Sequence, residues 1–315
     1  MNRIAVIFGV KGYKLTCKEK KFLKKVKPWG IILFSRNIKN ISQLKILIEE
    51  IKKTLHDKNY PILIDQEGGR ISRLNKIIDL SSFSQNFFGT LYKKDKKLFY
   101  RVYKIYIDIV WEIFNKVGIN INTVPVLDVV RKNTHNIIGN RSFSLNPESV
   151  SKLGNICINL YKKNKIATVA KHIPGHGMSK CDSHYKTPII KTNKKELIKK
   201  DFNPFRMSES FFAMTAHVIY TVYDTFNTAT HSEIVIKKVI RNHINFKGLL
   251  ISDDISMKSL KYKLEENAIM ALRAGCNLVL HCNGNMREMS KLSKVIPNID
   301  NFTQRKTSHF YKFLG

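Results

Sequence analysis

Eight short apolar runs, five to eight residues each, recur along the chain: Ile4–Val10, Gly30–Phe34, Pro61–Asp65, Asn122–Asp128, Ala167–His172, Phe212–His217, Gly248–Asp253 and Ala274–His281. Most are unbroken Val/Ile/Leu stretches without polar alternation, the pattern of parallel strands buried on both faces. The segments between them are patterned as helices. Thr16 and Glu19 have capping-box spacing, and Pro28 stands where that helix must already have ended. Leu44, Leu47, Ile48, Ile51 and Leu55 form one helical stripe, with Lys45, Glu49, Lys52 and Lys53 on the other face. A longer helix is expected over about 97–117. Alternating β and α units imply a parallel sheet, and eight of them imply a closed barrel. The expected fold is therefore α/β, a single-domain TIM-type (β/α)8 barrel over residues 1–315, with extra loop between about Leu74 and Lys97 and a curtailed tail after about 284.

The composition supports a packed core, because 43% hydrophobic and 10% aromatic residues leave ample surface to bury. No apolar run approaches the ~18 residues of a membrane span, so no membrane association is expected. Arg3 and the run to Val10 imitate a leader, but the run stops at Lys11-Gly12-Tyr13-Lys14 without small-residue cleavage chemistry, and a buried first strand is the better reading. The five cysteines, Cys17, Cys157, Cys181, Cys276 and Cys282, lack CxxC spacing, which argues against a disulfide framework or zinc ribbon and fits a reducing cytoplasm.

A formal charge of +31 raises the question of nucleic acid. Of the 55 basic residues, however, 43 are Lys and only 12 are Arg, the usual reader of base edges and phosphate forks. The lysines are spread over helix faces and accompany no nucleic-acid-binding motif, so no nucleic-acid partner is expected. The surplus is read as solvated surface, able at most to steer anionic substrates.

Five of the eight runs end in polar residues: Asp65-Gln66-Glu67-Gly68-Gly69-Arg70, Asp128, Lys171-His172, His217 and Asp253-Asp254. One Asp after a strand is ordinarily a helix cap. Five polar ends together match the way barrel active sites are assembled. The densest stretch is Lys171 to His184. Pro174 and Gly175 separate His172 from His176, so a helical zinc pair is not expected, and no metal is assigned. Asp182 two residues before His184 suits a carboxylate that fixes an imidazole tautomer, making a general acid/base. Ser179 lacks a nucleophile elbow. A carboxylate nucleophile from Asp253-Asp254 fits instead, and only one of the two can face the mouth if strand geometry continues. A carboxylate facing an acid/base across a sugar is the logic of retaining glycoside hydrolysis.

With these motifs in this order, the sequence resembles the family 3 glycoside hydrolases, and within them the single-domain bacterial β-N-acetylhexosaminidases of peptidoglycan recycling. The carriers are Gly30-Ile31-Ile32-Leu33-Phe34 with Arg36-Asn37, Ile64-Asp65-Gln66-Glu67-Gly68-Gly69-Arg70 with Arg73, Val124-Pro125-Val126-Leu127-Asp128, Gly139-Asn140-Arg141-Ser142-Phe143, Lys171 to His184, Met214-Thr215-Ala216-His217 and Ile251 to Met257. The resemblance implies Asp253 as nucleophile, His184 as acid/base with Asp182 as its orienting partner, and Asp65, Arg73, Arg141, Lys171 and His172 on the hydroxyls of a terminal N-acetylglucosamine. It implies a muropeptide or chitooligosaccharide-type small substrate, no cofactor, and a monomer. A phosphorylase acting on the same sugars and a non-catalytic basic barrel are the competing readings.

Overall fold

The computed structural model describes residues 2–131, 135–206 and 208–315. Eight parallel strands close into a barrel: β1 (Ile4–Gly9), β2 (Pro28–Leu33), β3 (Ile62–Ile64), β4 (Ile121–Asn122), β5 (Ala167–Ile173), β6 (Phe212–Thr215), β7 (Leu249–Asp254) and β8 (Leu278–His281). Closure is made by β8 beside β1, with Val6 opposite Val279 and Ile7 opposite Leu280. All residues of β2, β3 and β5 are buried. Their unbroken apolar character is thus what a two-sided environment of barrel interior and helix layer requires.

Two strands differ from the sequence reading. β4 is two residues long rather than running to Asp128, because Pro125 has no N–H to give the ladder. Pairing resumes as an isolated bridge of Val126 with Lys171. The gap is filled by Asn122, whose side chain accepts from Gln66 N at 3.0 Å and donates to Gln66 O at 3.0 Å, joining the ends of β3 and β4. The eighth strand begins at Leu278 because the preceding helix runs to Ala274 and is stopped by left-handed Gly275.

The expected helices form at Cys17–Val26, with its Thr16/Glu19 capping box, at Ile41–Thr54 and at Lys96–Val117. The stretch expected as extra loop contains a further helix, Gln85–Lys94, capped by Ser84. Phe88 of this helix packs on Phe99, Tyr103 and Tyr106 of the next. That tertiary contact stabilises a segment too short to show a clear period by itself.

The stretch after about 284 carries helices Met286–Val295 and Asn301–Leu314. The last of these closes the N-terminal end of the barrel. Trp29 of β2 and Phe212 of β6, strands on opposite sides of the ring, meet with centroids 5.5 Å apart, and Phe310 lies 5.5 Å from Phe212. Trp29 also donates its indole N–H to Thr307 Oγ1 at 2.9 Å. With one end plugged, the C-terminal mouth is where strand-end side chains can meet a ligand. Among the described residues, no helix is long and apolar enough to cross a membrane.

Candidate active site

At the end of β3, Asp65 and Glu67 are two residues apart and therefore point the same way. Lys171 of β5 reaches both: its Nζ donates to Asp65 Oδ1 at 3.0 Å and to Thr123 Oγ1 at 2.9 Å, and forms an ion pair with Glu67 Oε1 at 2.7 Å. Arg141 forks onto Glu67, Nε to Oε2 at 2.8 Å and Nη2 to Oε1 at 2.9 Å. Arg73 Nη2 lies 3.2 Å from Asp65 Oδ2, while its buried Nε has no partner among the described residues. Burial opposes ionisation of both carboxyls, but Lys171 and Arg73 hold Asp65 well below the usual carboxylate range. Burial is likewise outweighed at Glu67, where Arg141 and Lys171 bring the carboxyl down to about 2. This network is permanently charged and largely desolvated, and its fixed donors and acceptors line the cavity. The chain turns back after Glu67 through Gly68 at φ +84°, where a Cβ would run into the Phe83 carbonyl.

Asp128, at the end of its run in the sequence, is fully buried and holds two histidines. Its Oδ2 is 2.7 Å from His172 Nδ1, and its Oδ1 accepts from His176 N at 2.6 Å. Burial raises its carboxyl, but His172 overcomes this and keeps it below the ordinary value, ionised and acceptor-only. His172 must then carry its proton on Nδ1, leaving Nε2, 3.5 Å from Arg141 Nη2, as an acceptor at the cavity wall.

Asp253, at the end of β7, lines the same cavity. Its Oδ1 accepts from Asp254 N at 2.8 Å, leaving Oδ2 for chemistry. Burial works against its ionisation, yet His217, His172 and that backbone N–H keep its carboxyl below the usual value. Asp254 turns away and accepts from Ser256 N at 3.1 Å and Ser256 Oγ at 2.9 Å, as the alternation of strand side chains predicts. His217 braces this strand end: its Nε2 lies 3.0 Å from the Asp254 carbonyl, so it donates there, and its Nδ1 accepts from the Thr230 hydroxyl at 2.7 Å.

The loop after β5 carries His184, 58% exposed, with Nδ1 2.8 Å from Asp182 Oδ1. Burial raises Asp182 slightly, but hydrogen bonds from the His184 backbone and ring lower it below the ordinary range. Gly177 lets this loop pass directly over the Val129 carbonyl, where any Cβ would collide.

Asp65, Arg73, Arg141, Lys171, His172, His184 and Asp253 thus line one cavity of about 200 Å3. Asp182 stands behind His184. Glu67 escaped the sequence reading even though its spacing from Asp65 placed it on the same face. Arg70, Ile137, Ile138 and Cys282 also reach the wall, brought there by loops whose course no local pattern encodes. Of the earlier zinc candidates, His172 spends Nδ1 on Asp128 and His176 spends Nε2 on Ser183.

Two further buried histidines set a pH dependence of stability. Burial pushes His176 and His231 down to about 4. Unfolded imidazoles titrate near ~6.5, so between these values the unfolded chain binds more protons, and stability falls as the pH drops. Each histidine should cost about 2 kcal/mol between pH 7 and 5. Asp201, pushed up to about 6 by burial, acts oppositely and returns about 1 kcal/mol over the same interval. The urea midpoint should accordingly fall from pH 7 to pH 5, and His231→Asn should flatten that dependence.

The chain matches the glycosyl hydrolase family 3 N-terminal domain over residues 3–308. It is 36% identical over 290 residues to a beta-hexosaminidase of Neisseria meningitidis serogroup A, covering 88% of this chain and 78% of that one. A beta-hexosaminidase of Actinobacillus pleuropneumoniae serotype 3 is 33% identical over 284 residues, covering 88% and 81%. The crystal structure of NagZ from Neisseria gonorrhoeae in complex with N-trifluoroacetyl-D-glucosamine superposes with TM-score 0.87 at 32% identity, covering 100% of this chain and 90% of that one. The barrel, its charged C-terminal mouth and these likenesses agree: the chain belongs to glycosyl hydrolase family 3 and is a glycoside hydrolase.

Proposed function

We propose that the protein is a retaining β-N-acetylglucosaminidase that removes terminal N-acetylglucosamine from peptidoglycan-derived (1,6-anhydro)muropeptides in the cytoplasm, as part of cell-wall recycling. The observation that carries the reading is the meeting of Asp253 and His184 in the lining of one cavity with Asp65, Arg73, Arg141, Lys171 and His172. At about 200 Å3 the cavity lies below the ~300–1,000 Å3 of typical drug-sized ligand pockets, which suits one sugar ring with the remainder of the substrate in solvent. The hexosaminidase names of the relatives and the glucosamine derivative bound by the gonococcal protein support the choice of sugar.

In this mechanism the charged network grips the ring hydroxyls, and Asp253 Oδ2 attacks the anomeric carbon. The bond to the leaving oxygen breaks as His184 donates its proton there, and a glycosyl ester forms on Asp253. His184, now neutral, takes a proton from water, which attacks the same carbon and releases the sugar with retained configuration. Asp182 holds the ring of His184 and stabilises its charged form.

His184→Ala tests the assignment. A good leaving group needs little protonation, so hydrolysis of a dinitrophenyl glycoside should lose little in kcat/KM, whereas an alkyl or sugar aglycone should lose about 100-fold or more. Equal losses with both would contradict the role. A histidine acid/base, unlike a carboxylate, would not repel incoming phosphate, so the assay is run with and without it: free N-acetylglucosamine in both supports hydrolysis, and a sugar phosphate would make the enzyme a phosphorylase.

A further inference from the structure

From Lys180 to Thr187 the acid/base loop is exposed or half-exposed at every position except Ser183, which is buried between Asp182 and His184. Ser183 Oγ lies 3.1 Å from His176 Nε2. His176 is itself immobilised from three sides. Its backbone N–H donates to Asp128 at 2.6 Å, its ring abuts that of His172 at 5.7 Å between centroids, and it is 3% exposed. Among the described residues its other ring nitrogen, Nδ1, is buried without a partner, and Ser183 supplies the hydrogen bond of this side chain.

We infer that His176 and Ser183, which line the cavity beside His184, form a latch that seats the loop and holds the Asp182–His184 pair over the cavity, both acting as positioning residues through His184. The latch rests on the reading of His184 as the acid/base. It closes on a neutral His176, because a second ring proton would sit on the buried, unpartnered Nδ1. Asp128 is the common footing. One carboxylate fixes both His172 at the sugar and His176 under the loop, so the ring-binding wall and the proton donor are set in register by one buried group. Among the described residues the remainder of the loop is tied at its ends: the Ser179 carbonyl accepts from His135 N–H at 2.9 Å, Ser179 Oγ donates to the Cys181 carbonyl within the loop, and Thr187 Oγ1 donates to the Ser259 carbonyl at 2.6 Å.

The test is a double-mutant cycle of Ser183→Ala and His184→Ala, read as kcat/KM on an activated aryl and on an alkyl N-acetylglucosaminide. Ser183→Ala should lower the alkyl value roughly five- to tenfold, the equilibrium weight of one hydrogen bond, and leave the aryl value nearly unchanged. In the His184→Ala background it should have no further effect, because the latch acts only through that residue. Amide exchange over residues 179–187 should speed up in Ser183→Ala by more than the drop in global stability, read from the unfolding midpoint, accounts for. Equal losses on both substrates, or an additive loss in the double variant, would overturn the latch. Failure of His184→Ala alone to discriminate the leaving groups would instead sink the acid/base reading.

Discussion

Asp253→Ala abolishes useful turnover: kcat for a nitrophenyl N-acetylglucosaminide is expected to fall by several orders of magnitude, because removing a covalent nucleophile removes the pathway. The fold is expected to survive the change. Within the protein, Asp253 accepts one hydrogen bond, from Asp254 N, and the net worth of such a bond is about 1 kcal/mol. Asp254 cannot substitute, since its oxygens are turned to Ser256 and away from the cavity lining. A folded Asp253→Ala protein that hydrolyses at near wild-type rate would therefore remove the carboxylate from the chemistry altogether.

Lys171→Met is expected to have the largest effect on stability. Lys171 is 3% exposed, and its ammonium stands between Asp65 and Glu67. Without it, the buried Glu67 and the partly buried Asp65 carboxylates share a site with only Arg73 and Arg141 to balance them. Breaking a buried pair by removing one partner costs about 3–5 kcal/mol, or roughly 5–8 °C in thermal midpoint for a chain of 315 residues. The comparison is Arg73→Met, whose partner pair is more open to solvent, with side chains 25% and 17% exposed. That change should cost at most about 1 kcal/mol in stability, yet raise KM because a donor to the sugar is lost. Differential scanning calorimetry on the two variants separates these outcomes; a Lys171→Met midpoint equal to wild type would show that the carboxylates are solvated rather than held dry.

Why so much of the site was legible follows from the barrel itself. Once eight parallel strands are inferred from Val/Ile/Leu continuity, polar strand ends become candidates for the cavity by topology, which is how Asp65, Lys171, His172 and Asp253 could be placed, while Asp128, His217 and Asp254 end up behind it. Arg73, Arg141, Asp182 and His184 lie on loops and came from the resemblance or from local spacing. Glu67 was missed because its role exists only across the ring, where Arg141 from the β4 loop and Lys171 from β5 converge on it. Asp128 gives the same lesson: next to a strand it reads as a cap, and only the fold brings His172 and His176 to its two oxygens. The 85–94 helix and the final helix were misjudged for a related reason. Their stability comes from Phe88 against Tyr103 and from Phe310 under Trp29 and Phe212, contacts distant in sequence.

The central claim, a covalent sugar ester on Asp253, is tested most directly by trapping it. An N-acetylglucosaminyl donor with fluorine at C5 and a good leaving group forms the ester faster than water resolves it, since fluorine slows both steps and the leaving group restores only the first. Peptide mass spectrometry of the trapped enzyme should find the sugar mass on the fragment containing Asp253, with fragmentation placing it on that residue. Hydrolysis of the probe without an adduct, or an adduct on any other side chain, would contradict the mechanism.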